Sequence, residues 1–366
     1  MKISGLRTGM RRARRSINDL ASPRAPMDRL TDLAPTFNNP GNLRARIYLP
    51  KVLEAGAPLV VVLHGCTQSA ALYDHGTGWS HLADRHGFAL LFPEQQRANN
   101  MNLCFNWYQP GDTARGAGEA ESIRQMVASM VEEHGIDPAR IFVTGLSAGG
   151  AMASALLAAY PEMFAAGAII AGLPFGSADT LGEALTSMNV PVKASDRSLG
   201  NAVRSASSHC GPWPRISVWH GSADRLVVPG NGEAIVRQWC DVHGLPARPS
   251  RTDDVDGYPR RAWTNAADEV VIEEFVVTGM AHGTPLMPGT EEGQSGQAGA
   301  HMLDVGLSST DRIAAFFGIA PEPAPRALRR DEIPADGVAL RMSGPGSGGS
   351  VQSIIEEALR GAGLMR

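Results

Sequence analysis

The chain has 366 residues, of which 43% are hydrophobic, so it is long enough to bury one large core or two modest ones. Its 33 Lys and Arg residues nearly balance its 37 Asp and Glu residues, which argues against nucleic acid or an anionic surface as the main partner. No stretch approaches the roughly 18 uninterrupted apolar residues that a membrane span needs. A single α/β domain with terminal extensions is therefore the simplest prediction.

Residues 1–35 predict a basic N-terminal arm that is flexible or loosely docked. Five arginines fall within its first fifteen residues: Arg7, Arg11, Arg12, Arg14 and Arg15. No apolar run of about seven to fifteen residues follows them, so a standard secretion signal is not expected. That expectation favours a cytoplasmic location.

Residues 36–320 alternate between strand and helix patterns and predict the folded domain. The alternation over residues 43–49 is typical of a half-exposed strand, whereas the continuous apolar run Leu59–Leu63 is typical of a strand buried on both faces of a parallel sheet. Further strands are predicted at 88–92, 141–144, 165–171, 216–219 and 270–277, and helices at 79–86, 119–134 and 150–160. Strands that alternate with helices predict an α/β fold with a mostly parallel, doubly wound sheet, in which ligands bind at the carboxyl ends of the strands.

Residues 321–366 predict a Pro- and Gly-rich tail outside the core. Proline and charged residues come first, and the run Gly344–Ser350 is typical of a flexible linker. One short helix over Val351–Leu359 is an option that the sequence leaves open.

The four cysteines, Cys66, Cys104, Cys210 and Cys240, are too few for a disulfide scaffold and lack the C-x-x-C spacing of metal sites. Two bridges, Cys66–Cys104 and Cys210–Cys240, would suit an oxidising compartment, and free thiols are the alternative. The sequence predicts neither a metal ion nor another cofactor.

The sequence Gly145-Leu146-Ser147-Ala148-Gly149 stands between a predicted strand and a predicted helix, the setting of a nucleophile elbow. A serine on so tight a turn takes strained backbone angles, so the positions two before and two after it must be small. The Ser147 hydroxyl is then presented at the sheet edge, and the Ala148 N–H points at an oxyanion formed there. The alternative is a glycine-rich turn with an incidental serine.

A nucleophilic serine needs a base to take its proton and an acid to fix the tautomer of the base. In this fold class the acid and then the histidine follow the serine, each on a loop after a strand. Asp224 and His282 satisfy this requirement, since each comes shortly after a predicted strand. The rival acids, in polar stretches, are Asp241, Asp253, Asp254 and Asp256. His301 is the rival base, and His220 is expected to be a packing residue.

A second oxyanion donor is expected from the loop after an early strand. His64-Gly65-Cys66-Thr67-Gln68 stands there, and Gly65 allows a tight turn that leaves the Cys66 N–H free to act with that of Ala148. A rival reading takes Cys66 as the nucleophile and His64 as its base. Adjacent side chains at a strand end diverge, which argues against that reading.

Five ordered motifs within residues 43–317 together resemble the polyhydroxybutyrate depolymerase family of esterases, which is related to feruloyl and acetylxylan esterases. The motifs are His64–Gln68, Cys104–Trp107, Arg115–Glu119, Gly145–Gly150 and Trp219–Asp224. The resemblance implies an α/β-hydrolase fold and hydrolysis of carboxylic esters through an acyl-enzyme. It also implies a catalytic triad of Ser147, Asp224 and His282 and an oxyanion hole formed by the backbones of Cys66 and Ala148.

The resemblance bears on the substrate as well. Secreted members of the family usually carry a signal peptide and a polymer-binding domain, and neither is recognised here, so short-chain hydroxyalkanoate oligomers or small acyl and aryl esters are the expected substrates. Feruloyl or acetylxylan esterase activity is the alternative, and an inactive hydrolase-fold binding module is the non-enzymatic one. The family is typically extracellular, in contrast to the location that the missing leader favours.

Three aromatic residues could line the substrate pocket: Trp107, Tyr108 and Trp213. Ordinary packing is the alternative for each of them. Arg115 and Glu119 are expected to form a structural ion pair without a part in the chemistry.

Overall fold

The structure is a computed structural model and describes residues 28–34 and 37–324. Most of the predicted N-terminal arm, and the predicted tail beyond residue 324, therefore lie outside the described residues. Among the described residues, no helix combines the length and apolar character needed to cross a bilayer.

Strands and helices alternate along the described part of the chain. The strands are β1 (Thr31–Asp32), β2 (Arg44–Tyr48), β3 (Leu59–Leu63), β4 (Ala89–Glu94), β5 (Ile141–Leu146), β6 (Ala166–Ile170), β7 (Arg215–Gly221), β8 (Arg251–Val255), β9 (Tyr258–Thr264), β10 (Val270–Val277), β11 (Thr284–Leu286) and β12 (Met302–Asp304). The helices are α1 (Ala70–Thr77), α2 (Trp79–His86), α3 (Pro110–Thr113), α4 (Gly118–His134), α5 (Ala148–Ala159), α6 (Leu181–Asn189), α7 (Asp196–Ser205), α8 (Gly230–His243) and α9 (Ser309–Phe317).

Ten strands form one sheet in the order β1-β2-β4-β3-β5-β6-β7-β10-β9-β8. The six strands from β4 to β10 in this order pair in parallel. Strands β2 and β9 join the two edges of this block by antiparallel pairing, and β1 and β8 pair antiparallel with them. The predicted α/β class, with a mostly parallel sheet and flanking helices, is confirmed.

The core lies on both faces of this sheet, as β3 shows. Leu59, Val61 and Leu63 pack on one face in an apolar cluster with residues of α4, α5 and α8. Val60 and Val62 pack on the other face with residues of α1, α2 and α9. All five side chains are at most 1% exposed, which confirms the prediction of a strand buried on both faces.

The β8–β9 hairpin was not expected from the sequence. Its first strand carries the exposed residues Asp253 and Asp254, so it lacks the apolar pattern of the central strands. A two-residue turn, Asp256-Gly257, joins the strands with positive φ at both positions. Asp-Gly is a strong hairpin signal, and it was the feature that could have identified this element.

Candidate active site

Ser147 is the single residue between the end of β5 and the start of α5. Its φ of 58° and ψ of −118° are rare for a residue with a side chain, and such strain costs about 1–3 kcal/mol. Two backbone bonds hold this conformation. The Ser147 N–H donates to the Ile170 carbonyl at 2.9 Å, and the Ser147 carbonyl accepts from the Ala151 N–H at 2.8 Å. The expected strand–turn–helix setting is present.

Two glycines allow the turn because the backbone comes too close to neighbouring chain for any side chain. A Cβ on Gly145 would lie 2.4 Å from the carbonyl oxygen of Gly149. A Cβ on Gly149 would lie 2.4 Å from the carbonyl oxygen of Leu63 and 2.5 Å from that of His64. The start of α5 is therefore pressed against the carboxyl end of β3, which brings the Ala148 backbone near the loop that carries Cys66.

Asp224 and His282 meet at the carboxyl ends of the parallel strands. They follow the neighbouring parallel strands β7 and β10, whose last residues pair as Gly221 with Val277. His282 Nδ1 lies 2.7 Å from Asp224 Oδ2. Since an ionised carboxylate can only accept, Nδ1 carries the proton and Nε2 is left as the basic nitrogen.

Asp224 is held as a carboxylate. Its Oδ1 accepts the backbone N–H groups of Leu226 and Val227 at 2.9 and 3.0 Å, and His220 Nε2 lies 3.4 Å from its Oδ2. Burial raises the pKa of Asp224, but the hydrogen bonds from His220, His282 and the backbone outweigh it and hold the pKa well below its usual range. His220 is itself buried and bonded to the Val227 carbonyl at 2.8 Å, in agreement with the expected packing role.

The rival residues have other partners. His301 Nδ1 lies 3.1 Å from the carbonyl oxygen of His282, so it contacts the backbone of the predicted base. The rival acids bind as follows: Asp241 to Arg204 at 2.6 Å, Asp253 to Arg260 at 3.5 Å, Asp254 to the Gly257 N–H at 2.9 Å and Asp256 to Arg312 at 2.6 Å. Of the five carboxylates considered, Asp224 is thus the one bonded to His282.

Cys66 and Cys104 form a disulfide. Cys210 is exposed and Cys240 is buried, and both are free, so the second suggested bridge is wrong and the free-thiol alternative holds for that pair. A disulfide sulfur is not a thiolate, so the alternative of Cys66 as nucleophile does not fit this structure. The bridge ties the predicted oxyanion-hole loop to the segment that follows β4.

Trp107 is the predicted pocket residue with the clearest relation to the site. It packs against an apolar group that includes Ala151 and Val227, whose N–H groups bond to Ser147 and Asp224 respectively. The ring of Tyr108 meets that of Trp107 edge-on, with centroids 5.7 Å apart.

Trp213 lies far from the candidate site. It precedes β7 and packs against Trp239, at the amino end of the strand whose carboxyl end leads to Asp224. A strand of this length spans about 20 Å, so ordinary packing is the correct interpretation for Trp213. Its position in sequence was no guide to the end of the sheet at which it lies.

The expected ion pair between Arg115 and Glu119 is also wrong. Arg115 binds Glu162 at 2.6 Å and the Ala159 carbonyl at 2.7 Å. Glu119 is buried in the first turn of α4, which Gly118 enters with positive φ, and it faces the segment after β4. Burial raises its pKa to about 8.

Glu119 belongs to a buried polar network that was not predicted from the sequence. It accepts the side-chain amide of Gln95 at 2.6 Å and, from Asn106, the backbone N–H and the side-chain amide, each at 2.9 Å. These partners are 24 and 13 residues away along the chain, so no periodic pattern in the sequence indicates the contact.

Comparison with known proteins identifies similar sequences. The family model described as Esterase PHB depolymerase matches residues 43–252. Poly(3-hydroxyalkanoate) depolymerase C of Paucimonas lemoignei is 45% identical over 291 residues, which cover 79% of this chain and 70% of that protein. Feruloyl esterase B of Thermothelomyces thermophilus is 32% identical over 254 residues, which cover 67% and 85% of the two chains. An acetylxylan esterase of Coprinopsis cinerea is 31% identical over 275 residues, which cover 72% of this chain and 71% of that protein.

The fold comparison agrees with the sequence comparison. The acetyl xylan esterase of Aspergillus awamori aligns with a TM-score of 0.67 and 23% identity, over 80% of this chain and 99% of that one. At this level of identity the likeness bears on the fold alone, and it confirms the α/β-hydrolase architecture.

Proposed function

Because this chain belongs to the esterase PHB depolymerase family and is a carboxylic-ester hydrolase, we propose that Ser147, His282 and Asp224 form its catalytic triad. The observation that carries the proposal is the 2.7 Å bond between His282 and Asp224. Both residues lie on loops that follow the carboxyl ends of parallel strands, as the strained Ser147 does. Family membership argues against the alternative of a non-catalytic binding module.

The proposed triad would carry out acyl transfer in two steps. Ser147 Oγ attacks the ester carbonyl while His282 Nε2 takes its proton, and the resulting imidazolium is stabilised by the Asp224 carboxylate. The imidazolium then protonates the departing alcohol, which leaves an acyl-enzyme on Ser147. Water, deprotonated by the same nitrogen, attacks the acyl carbonyl. The bond to Ser147 Oγ then breaks, the imidazolium returns its proton to Oγ, and the carboxylic acid leaves.

The proposed oxyanion hole consists of the backbone N–H groups of Cys66 and Ala148. Ala148 is the first residue of α5, where N–H groups have no partner within the helix and the helix dipole is positive. Cys66 lies on the loop after β3, against which α5 is pressed. In comparable sites, each such donor contributes about 10²–10³-fold to the rate.

For the substrate we propose short-chain hydroxyalkanoate oligomers or small acyl and aryl esters. The support is the 45% identity to a poly(3-hydroxyalkanoate) depolymerase, together with the apolar surface of Trp107 beside the site. Feruloyl or acetylxylan ester hydrolysis is the second candidate, supported by relatives with those names at 32% and 31% identity. Turnover of hydroxybutyrate oligomers, methyl ferulate and acetylated xylan by the same preparation distinguishes the two.

A pair of serine variants tests the triad. Ser147→Ala should abolish hydrolysis of p-nitrophenyl butyrate. Ser154→Ala, which removes a buried hydroxyl two turns further along α5, should retain it. Full activity of Ser147→Ala would refute the assignment.

A further inference from the structure

His64 is a buried histidine at the end of β3 that the proposed mechanism does not use. Its Nδ1 lies 2.8 Å from the carbonyl oxygen of Gly65, and its Nε2 lies 3.1 Å from the backbone nitrogen of Gln95. Both ring nitrogens are therefore within hydrogen-bond distance of the main chain.

These two contacts fix the tautomer of His64. The Gln95 N–H can only donate, so Nε2 must accept. Burial lowers the pKa of His64, which favours the neutral ring, and a neutral ring carries its one proton on the other nitrogen. Nδ1–H therefore donates to the Gly65 carbonyl, and His64 could gain a second proton only by losing its bond to Gln95.

The Gly65 carbonyl and the Cys66 N–H belong to the same peptide unit. That unit is planar and trans, so its C=O and N–H bonds point in opposite directions. The carbonyl accepts from His64 at 2.8 Å and, over a longer distance of 3.3 Å, from the Gln68 N–H. Fixing the carbonyl on one side also fixes the direction of the N–H on the other. We infer that His64 is a positioning residue that aims the Cys66 N–H at the oxyanion, an inference that rests on the proposed function.

The same peptide unit is held from a second direction by the disulfide. The side-chain amide of Gln95 donates to the Cys104 carbonyl at 3.0 Å and to Glu119 at 2.6 Å, and Cys104 is bonded to Cys66. Gln95 therefore supports both tethers, through its backbone to His64 and through its side chain to Cys104. Such preorganisation is what an oxyanion donor requires, because it avoids reorganisation when charge develops.

The test compares His64→Ala and His64→Asn with the wild type. The Asn amide nitrogen stands close to the place of Nδ1 and can donate to Gly65, whereas Ala cannot. We expect His64→Ala to lower kcat for p-nitrophenyl butyrate about 10- to 100-fold with KM within about twofold, and His64→Asn to recover most of the loss. The affinity for butylboronic acid, whose serine adduct places an anionic oxygen in the hole, should fall by the same factor as kcat.

The control is His243→Ala. His243 Nε2 also lies near a backbone carbonyl, that of Pro214 at 3.1 Å, but at the amino end of β7, so its loss should leave kcat unchanged. Wild-type kcat and boronate affinity in folded His64→Ala would overturn the inference, as would equal losses in His64→Ala and His64→Asn.

If the variants do not fold, ¹⁵N spectra of the native protein provide the test. A proton on Nε2 of His64 would contradict the inferred positioning role. Two other results would show instead that the proposed function is wrong: a wild-type protein that does not hydrolyse the ester, or a Ser147→Ala variant that still does.

Discussion

Asp224 and His282 are bonded at 2.7 Å although 58 residues separate them along the chain. Helix α8 and the β8–β9 hairpin lie in the intervening sequence, and β10 then returns to pair in parallel with β7. Further bonds join the loops that follow the two strands. The Ser222 N–H donates to Val277 at 3.0 Å, and the Ala223 N–H donates to Met280 at 3.0 Å. The pair is therefore positioned by the sheet itself.

Replacing Asp224 by Asn should lower kcat by about 10³–10⁴-fold with the fold intact. An amide can donate to His282 Nδ1, which would favour the tautomer with the proton on Nε2 and leave no base facing Ser147. Steady-state kinetics with p-nitrophenyl butyrate give the measurement. Asp241→Asn, at the rival acid bonded to Arg204, is the matched control and should retain kcat. Similar losses in the two variants would count against Asp224 as the acid.

Replacing Cys104 by Ser should reduce both stability and kcat. Loss of the bridge to Cys66 frees a loop with a sequence separation of 38 residues, which is expected to cost about 2–4 kcal/mol of unfolding free energy. It also removes one tether of the proposed oxyanion donor. Urea unfolding and kcat are measured together, with Cys210→Ser as control because that thiol is exposed and free. Unchanged kcat in folded Cys104→Ser would show that the bridge does not support the hole.

Glu119 should make the protein less stable as the pH rises from about 5 to 8. Its pKa is about 8 in the fold and close to its ordinary value of 4.5 when unfolded, so the folded state binds more protons within this window. Stability from this group is complete below the unfolded pKa and is lost as the pH approaches 8. Relative to Glu119→Gln, which does not titrate, the wild type should lose up to about 1.4 kcal/mol per pH unit.

The control for this prediction lies on the same helix. Hydrogen bonding to Arg124 is the main cause that lowers the pKa of Glu121 to about 2, so Glu121 is charged in both states above pH 5. The stability difference between wild type and Glu121→Gln should therefore stay constant from pH 5 to 8. Chemical unfolding at several pH values measures both pairs, and a constant difference for Glu119→Gln would contradict the assignment.

Replacing Gly149 by Ala should prevent the close approach of α5 to β3. The added Cβ would meet two backbone carbonyls, at 2.4 and 2.5 Å, and backbone cannot move aside as a flexible side chain can. We expect a loss of about 1–3 kcal/mol in stability and a fall in kcat, since both proposed oxyanion donors adjoin this contact. Gly182→Ala, in open space on α6, should lower neither, and the exchange of a helical Gly for Ala is expected to raise stability by up to about 1 kcal/mol. Wild-type stability and kcat in Gly149→Ala would show that the contact is not needed.

The central elements could be predicted because local residue patterns in the sequence indicate that they are buried. The run Leu59–Leu63 and the Gly-flanked Ser147 each indicate their own structure. The order of strand ends led to the choice of Asp224 and His282, whose side chains lie 2.7 Å apart. The choice of polar partner is not local. Glu119 could have paired with Arg115 as far as the sequence shows, and only the tertiary fold turns it towards Gln95 and Asn106.

The same distinction explains the cysteines and the aromatic residues. Whether Cys66 binds Cys104, and whether Cys210 and Cys240 stay apart, depends on distances between segments that no spacing rule supplies. Trp107 and Trp213 looked equivalent as apolar side chains. The sheet separates them, because one lies beside the carboxyl ends of the strands and the other precedes the amino end of β7.

The most direct test of the account is covalent labelling of the native protein with a fluorophosphonate, followed by mass spectrometry of its peptides. We expect one phosphonylated residue, Ser147, with labelling that parallels the loss of p-nitrophenyl butyrate hydrolysis. The variants Asp224→Asn and His282→Ala should label far more slowly. Complete inactivation with the label on another residue, or undiminished labelling in His282→Ala, would contradict it.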